Sequence, residues 1–239
     1  SGELQGMVSR GYPDIGQTIY LVDSNYRTVA QGWSRSDGTG PLDIYNERFS
    51  GTVRRTGDYS SDSVAIQAAI DAMVDFRGDT LYFTPGAYSI ATALVVDVPD
   101  ARWVGSPVAR PTSARASITA AVAAAIGLTA AADRMEIAFL RFVPLTASHM
   151  FAIAAAANNL HFHHFFYDAD GIAANVATQM VLAAGAMNNS AFTDFVFHTD
   201  AAQGPLIELD GLVEALEISR FLNFHQAGTL AVSLLQVDD

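Results

Sequence analysis

Met135-Glu-Ile-Ala-Phe-Leu-Arg-Phe142, Leu160-His-Phe-His-His-Phe-Phe-Tyr167, Ser190-Ala-Phe-Thr-Asp-Phe-Val-Phe197 and Leu216-Glu-Ile-Ser-Arg-Phe-Leu-Asn223 are four versions of one eight-residue phrase. Each holds an alternating pair, two further residues, and a second alternating pair. The second members of the first pairs, Ile137, Phe162, Phe192 and Ile218, lie 25, 30 and 26 residues apart. Another track runs ahead of the phrase through Ile126-x-Leu128, Phe151-x-Ile153, Met180-x-Leu182, Ile207-x-Leu209 and Val232-x-Leu234, at intervals of 25, 29, 27 and 25. Alternation at period two marks a strand with one buried face. Short strands recurring at this interval mark a solenoid.

Each turn of the coil then holds three short strands, and equivalent strands stack as parallel ladders ~4.8 Å apart. The crossover rule favours a right-handed coil. A two-residue corner between the second and third strands breaks the phase of alternation, as the phrase requires. A doubly wound α/β fold needs a helix of about ten residues or more between strands, which these intervals do not hold. The expected fold is all-β: a right-handed single-stranded parallel β-helix of three-strand coils over residues 117–239.

Upstream, the period changes. Over residues 57–76 the apolar positions Val64, Ile66, Ala69, Ile70, Met73 and Val74 approximate a helical stripe, with Ser60, Ser61 and Asp62 as N-cap candidates. Arg77-Gly78-Asp79 ends the helix; although this tripeptide could suggest cell adhesion, its place makes it a turn. Thr80 to Thr84 and Ala87 to Ile90 read as strands around Pro85-Gly86. Residues 1–56 alternate turn chemistry with short β-prone runs (Thr18 to Val22, Leu42 to Tyr45), which predicts a small loop-rich region leaning on the rest. Three segments follow: 1–56, 57–116 and 117–239.

The stretch Asp58-Tyr-Ser-Ser-Asp-Ser-Val-Ala-Ile-Gln-Ala-Ala-Ile-Asp-Ala, followed by Gly78-Asp-Thr-Leu-Tyr-Phe-Thr-Pro-Gly-Ala-Tyr-Ser-Ile, resembles the opening of the pectate-lyase-like superfamily of right-handed β-helices. That opening is frequent in bacteriophage tailspikes and head spikes. The resemblance covers residues 58 to about 105 and implies a helix that caps the solenoid. It also implies a virion location, a homotrimer, attachment to other virion proteins through residues 1–56, and contact with bacterial surface polysaccharide. On activity the motif is silent, because the superfamily holds lyases, hydrolases, epimerases and inert spikes.

Charge narrows the partners. The chain carries 25 acidic residues against 13 bases, every base an arginine, and the two signs balance over residues 1–56. The net charge of −12 therefore lies wholly downstream, a surface that repels phosphate backbones and anionic membranes. No nucleic-acid partner and no membrane insertion are expected. No apolar run reaches the ~18 residues of a membrane span, and Ser1 to Arg10 holds no apolar core of a secretory signal. With no cysteine there is neither disulfide nor thiolate metal site.

The chemical candidates sit on outward strand positions. Stacking places His164, Asp194 and Arg220 in one column at the two-residue corner, where a lyase would need a base; a surface ion-pair ladder is the plainer reading. A glycosidase needs two carboxylates ~5–9.5 Å apart. Asp168, Asp170, Asp194, Asp200, Glu208 and Asp210 supply candidates, in such number that proximity alone proves little. His161, His163 and His164 could ligate a metal, but no carboxylate or cysteine is spaced to complete the shell, so a surface histidine cluster is expected, with no metal and no cofactor. Asn158-Asn159 and Asn188-Asn189 occupy matching turns, where stacked amide ladders are expected.

The outward positions of the upstream track read Gly127/Thr129, Ala152/Ala154, Val181/Ala183 and then Glu208/Asp210. That describes a flat face of small apolar groups and predicts an assembly surface at Ala152, Ala154, Val181 and Ala183. The strand from Val232 opens a further turn with no cap before Asp239, so a longer spike, or a partner over that end, is expected. The function expected is a structural virion protein of a bacteriophage spike or fibre; the alternative is a polysaccharide depolymerase.

Overall fold

A computed structural model of the chain describes residues 19–22, 52–53, 61–71, 73–83, 86–105, 116–144, 149–153, 156–169, 180–199, 206–225 and 235–237. Strands β1 (Ile19–Val22) and β2 (Thr52–Val53) precede helix α1 (Asp62–Ile70). Four turns of three strands follow. They are β3 (Thr80–Phe83), β4 (Gly86–Ile90) and β5 (Leu94–Val96); β6 (Arg102–Gly105), β7 (Ala116–Ala120) and β8 (Ile126–Leu128). Then come β9 (Glu136–Ala138), β10 (Leu140–Pro144) and β11 (Phe151–Ile153), and β12 (His161–His163), β13 (Phe166–Ala169) and β14 (Val181–Ala183). Beyond them the first two strands of a turn fuse, giving β15 (Ala191–Thr199) with β16 (Ile207–Leu209), and β17 (Glu217–His225) with β18 (Leu235–Val237).

All pairing is parallel, and the chain is an all-β parallel β-helix entered through one short helix. Leu81, Trp103, Ile137, Phe162, Phe192 and Ile218 stack in direct register along one ladder. Tyr88, Ile118, Phe142, Tyr167 and Phe197 do so along the second. Leu94, Ile126, Phe151, Val181 and Ile207 do so along the third. These side chains fill the bore, almost all of them fully buried. Rings repeat at the ladder spacing: Phe162 on Phe192 and Phe165 on Phe195, each at 4.8 Å between centroids. Across the bore, Phe151 meets Phe142 and Phe162 edge to face at 5.1 and 5.0 Å.

The third ladder corrects the expected phase. Val181 and Ala183 are fully buried, so they do not belong to the outward face assigned to them above. The reason is the corner residue. Ile126, Phe151 and Val181 donate their N–H groups to the carbonyls of Met150, Met180 and Leu206, which makes Met180 the equivalent of Met150 and not of Phe151. In the last turn the partner of Ile207 is likewise Leu235, whereas the expected equivalent, Val232, lies outside the described residues. With Val181 in the place of Met180, Ile126, Phe151, Val181 and Ile207 follow one another at 25, 30 and 26 residues, the intervals of the phrase itself.

Corners are made by left-handed backbone. Phe139, His164, Asp194 and Arg220 have φ of 59, 52, 52 and 50° and form the two-residue corner between the first and second ladders. Asp100, Arg134, Asn159, Asn189 and Ala215, at 50 to 60°, form a second column before the first ladder. Each such residue costs on the order of 1 kcal/mol unless it is Asn or Asp, and stacking imposes it on every rung. The close approach of rungs also explains Gly105, where a Cβ would stand 2.3 Å from the Phe139 carbonyl oxygen. The asparagine turns stack as expected but bond to main chain: Asn158 Oδ1 accepts from the Asn188 N–H at 3.0 Å, and Asn188 Oδ1 from that of Glu214 at 2.8 Å.

The ladders of β4 and β5 end at α1, where β-strand edges would otherwise present unpaired N–H and C=O groups. Polar side chains of α1 supply the missing strand. Asp62 accepts from the Ser89 N–H at 3.0 Å. Ser63 Oγ accepts from Ala91 at 2.8 Å and Thr92 at 3.2 Å. Gln67 pairs with Val95 in both directions, accepting its N–H at 2.8 Å and donating to its carbonyl at 3.0 Å. Beside these polar groups the helix buries Ala65, Ile66, Ala69 and Ile70. Ser61 caps it, accepting from the Val64 N–H at 3.3 Å. Beyond it Asp79, almost wholly buried, accepts from Arg77 and from the Val74 N–H at 2.9 Å, and Gly78 takes a φ of 73°. The Arg-Gly-Asp tripeptide is thus a turn whose aspartate is buried and held by its own arginine.

Two stability measurements follow. Phe162→Ala removes a ring stacked on both sides and should cost ~3–5 kcal/mol in denaturant unfolding, with Phe162→Leu far milder. Gln67→Ala removes both hydrogen bonds to the solvent-accessible Val95 and should cost ~0.5–1.5 kcal/mol, with faster hydrogen exchange at the Val95 amide and little change at Phe192.

Candidate functional site

Among the described residues, the outer side of the first two ladders carries a concentration of polar and ionic side chains. Alternation turns Glu136, His161 and His163 outward while Ile137 and Phe162 enter the bore. Register then decides who meets whom. Arg102, Glu136, His161, Ala191 and Glu217 form one outward column; Val104, Ala138, His163, Thr193 and Ser219 form the next. The left-handed corner column of Phe139, His164, Asp194 and Arg220 lies beside them.

Two ionic groups are built here. In the first, Glu136 accepts from Arg102 Nε at 2.6 Å and lies 3.0 Å from His163 Nε2. Burial alone would raise the Glu136 carboxyl, but the hydrogen bonds from His163 and Arg102, and then their charges, outweigh it and hold it at about 2. In the second, Arg220 grips Asp194 with two parallel hydrogen bonds of 2.6 and 2.7 Å. The Arg220 hydrogen bond dominates in lowering the Asp194 carboxyl to about 2, and His164 adds a smaller pull of the same sign. The same contact moves the Arg220 guanidinium further up.

The expected column of His164, Asp194 and Arg220 is therefore assembled. Its chemistry is that of a salt bridge: an arginine held protonated by a carboxylate cannot take a proton from a substrate, and a general acid needs a carboxyl moved up rather than down. His161, His163 and His164 are also brought together, while Phe139 stacks on His164 at 5.1 Å. Among the described residues no group of three or more His, Asp or Glu side chains is placed to hold a metal ion.

The second ladder holds a cluster that sequence reading singled out only in part. Asp168, one of the six acids named above, is nearly buried on the outer face of β13. It accepts from Arg141 Nε at 3.0 Å and stands 3.3 Å from His198 Nδ1, while Arg141 also lies over the Phe166 ring at 5.8 Å. Arg141, Asp168 and His198 come from three successive rungs. Only the register between β10, β13 and β15 joins them. Glu136 and Arg102 were missed for the same reason, although extending the phrase upstream to Arg102-Trp103 would have aligned them.

On the third ladder, Ala152 faces outward and is partly exposed, with Gly127 beside it and Val95 on the next rung, 48% exposed. Glu208 continues this column past β14. Ala154, Asp170 and Asp200 lie outside the described residues, as does all of segment 1–56 except β1 and β2. β1 pairs with β3, extending the first ladder by a strand.

The Glu136 group sets a pH dependence. Because folding lowers this carboxyl from its ordinary 4.5 to about 2, its stabilisation is complete above the unfolded value and is lost as pH falls towards 2. Melting temperature should therefore drop between pH 5 and pH 2.5 more steeply in the unmodified chain than in Glu136→Gln, as followed by circular dichroism.

No protein-family model matches the chain, and no curated protein matches it. Among solved structures it is similar to "Geobacillus virus E2 - ORF18", with 11% identity and a TM-score of 0.28. The match covers 74% of this chain, which spans 57% of that one. A likeness at that level carries no inference about function.

Proposed function

We propose that the chain is a structural component of a bacteriophage spike or fibre, carried on the virion as a homotrimer and supporting attachment to the bacterial surface. The observation that carries this reading is the entrance of the solenoid. The stretch that resembles the spike-type opening forms a helix whose Asp62, Ser63 and Gln67 close the ladder edges, with the first coil directly behind it. The outer face adds support, because the strongly shifted acids are spent on neighbouring rungs: Asp194 on Arg220, Glu136 on Arg102 and His163. The apolar strip of Val95, Gly127 and Ala152 gives a trimer a surface to pack on, since a solvated parallel ladder would carry polar groups there.

The second reading, a polysaccharide depolymerase, rests on Asp168 between Arg141 and His198, a nearly buried carboxylate on an outward strand position. Product release separates the two. Reducing ends or unsaturated sugars released from purified capsule or lipopolysaccharide, and abolished by Asp168→Asn, would establish the enzyme.

Light scattering should return three times the chain mass for the unmodified protein and a lower mass for Ala152→Arg, with the circular dichroism spectrum unchanged. A trimeric mass in Ala152→Arg would remove the strip from the assembly. Mass spectrometry of density-purified particles from the source phage should find the chain; its absence would end the virion reading.

A further inference from the structure

Three of the six histidines crowd one rung of the outer face. His161 and His163, two residues apart on β12, have rings stacked at 4.4 Å and 30°. An imidazole lone pair lies in its ring plane, so stacked rings do not aim their nitrogens at a common point. His164 is different. Its left-handed backbone sets its ring at 82° to that of His163 and brings the two Nδ1 atoms to 2.8 Å. Glu136 fixes the partner: an ionised carboxylate can only accept, so neutral His163 carries its proton on Nε2, 3.0 Å from Glu136 Oε1. In the metal-free chain the His163 Nδ1 lone pair therefore accepts from the His164 Nδ1–H. Arg102 anchors Glu136 in turn, at 2.6 Å.

A carboxylate that takes one ring N–H and frees the other nitrogen as a donor is the arrangement that stands behind metal-ligating histidines. We propose that His163 Nδ1 and His164 Nδ1 form an open two-nitrogen site for a divalent transition metal, copper(II) or nickel(II). Two nitrogens ~2.0 Å from an ion and at right angles stand about 2.8 Å apart, the tetragonal geometry these ions favour. A closed tetrahedral zinc site would need wider spacing and four ligands, and the described residues bring no third His, Asp or Glu to the point. An ion bound between the two nitrogens takes the place of the His164 Nδ1 proton, which leaves to solvent. Water fills the remaining positions. The site is independent of the virion reading and survives its failure.

Copper(II) chloride titrated into the untagged chain should give one tightly bound ion, with two imidazole nitrogens in its electron paramagnetic resonance spectrum. His164→Asn keeps a residue that tolerates the left-handed backbone and should weaken binding at least tenfold by calorimetry, whereas His198→Asn should leave it unchanged. Undiminished binding in His164→Asn would overturn the site. So would a larger loss in His161→Asn, which would move the ion to the stacked pair. Independently of any variant, sub-stoichiometric copper(II) should broaden the ring resonances of His163 and His164 first. First broadening at His149 or His198 would overturn it as well.

Discussion

One parallel ladder spacing governs this molecule. A residue that enters the bore can be covered only by the equivalent residue one turn away, because a single turn is too thin to bury anything. Phe162 is sealed by Ile137 and Phe192, and Phe165 stacks on Phe195. Stability is therefore a sum of contacts between neighbours. The covalent intervals of 25, 30 and 26 residues differ while the stacked strands hold one register, so the extra length is taken up between strands and never within them.

Stacking also explains features that would be faults in an isolated turn. A phenylalanine, a histidine, an aspartate and an arginine all adopt left-handed backbone at one corner, although only the aspartate and the histidine belong to residue types enriched there. Their common feature is position. The same logic runs at the entrance, where ladder edges with no further strand are met by the side chains of Ser63 and Gln67 in the place of a backbone. A helix can end a sheet in this way only if its polar groups repeat at the right height.

The outer face inherits the geometry that the bore imposes. Charges separated by 26 to 34 residues become neighbours one rung apart, as Arg220 is to Asp194 and Arg102 to Glu136. Each such pair lies part-way in solvent, so it contributes less to stability than to the state of its members: carboxylates stay ionised and rings are oriented. His163 illustrates the second effect, for its Nδ1 meets His164 because Glu136 holds its Nε2.

Period-two alternation and repeat spacing made the coil legible without coordinates, down to the direct stacking of Phe162, Phe192 and Ile218 and the column of His164, Asp194 and Arg220. Both are local properties multiplied by a constant interval. The phase of Val181 and Ala183 was not legible in the same way, since Met180, Val181 and Leu182 are all apolar and two alternations fit equally well; the buried corner occupied by Met150 and Met180 chose between them. Nor did alternation reveal that Glu136 would meet His163, or that Asp168 would lie between Arg141 and His198. Alternation sorts side chains into inside and outside, whereas meeting across rungs depends on inter-strand register and on the lean of each side chain, which exist only once the coil has closed.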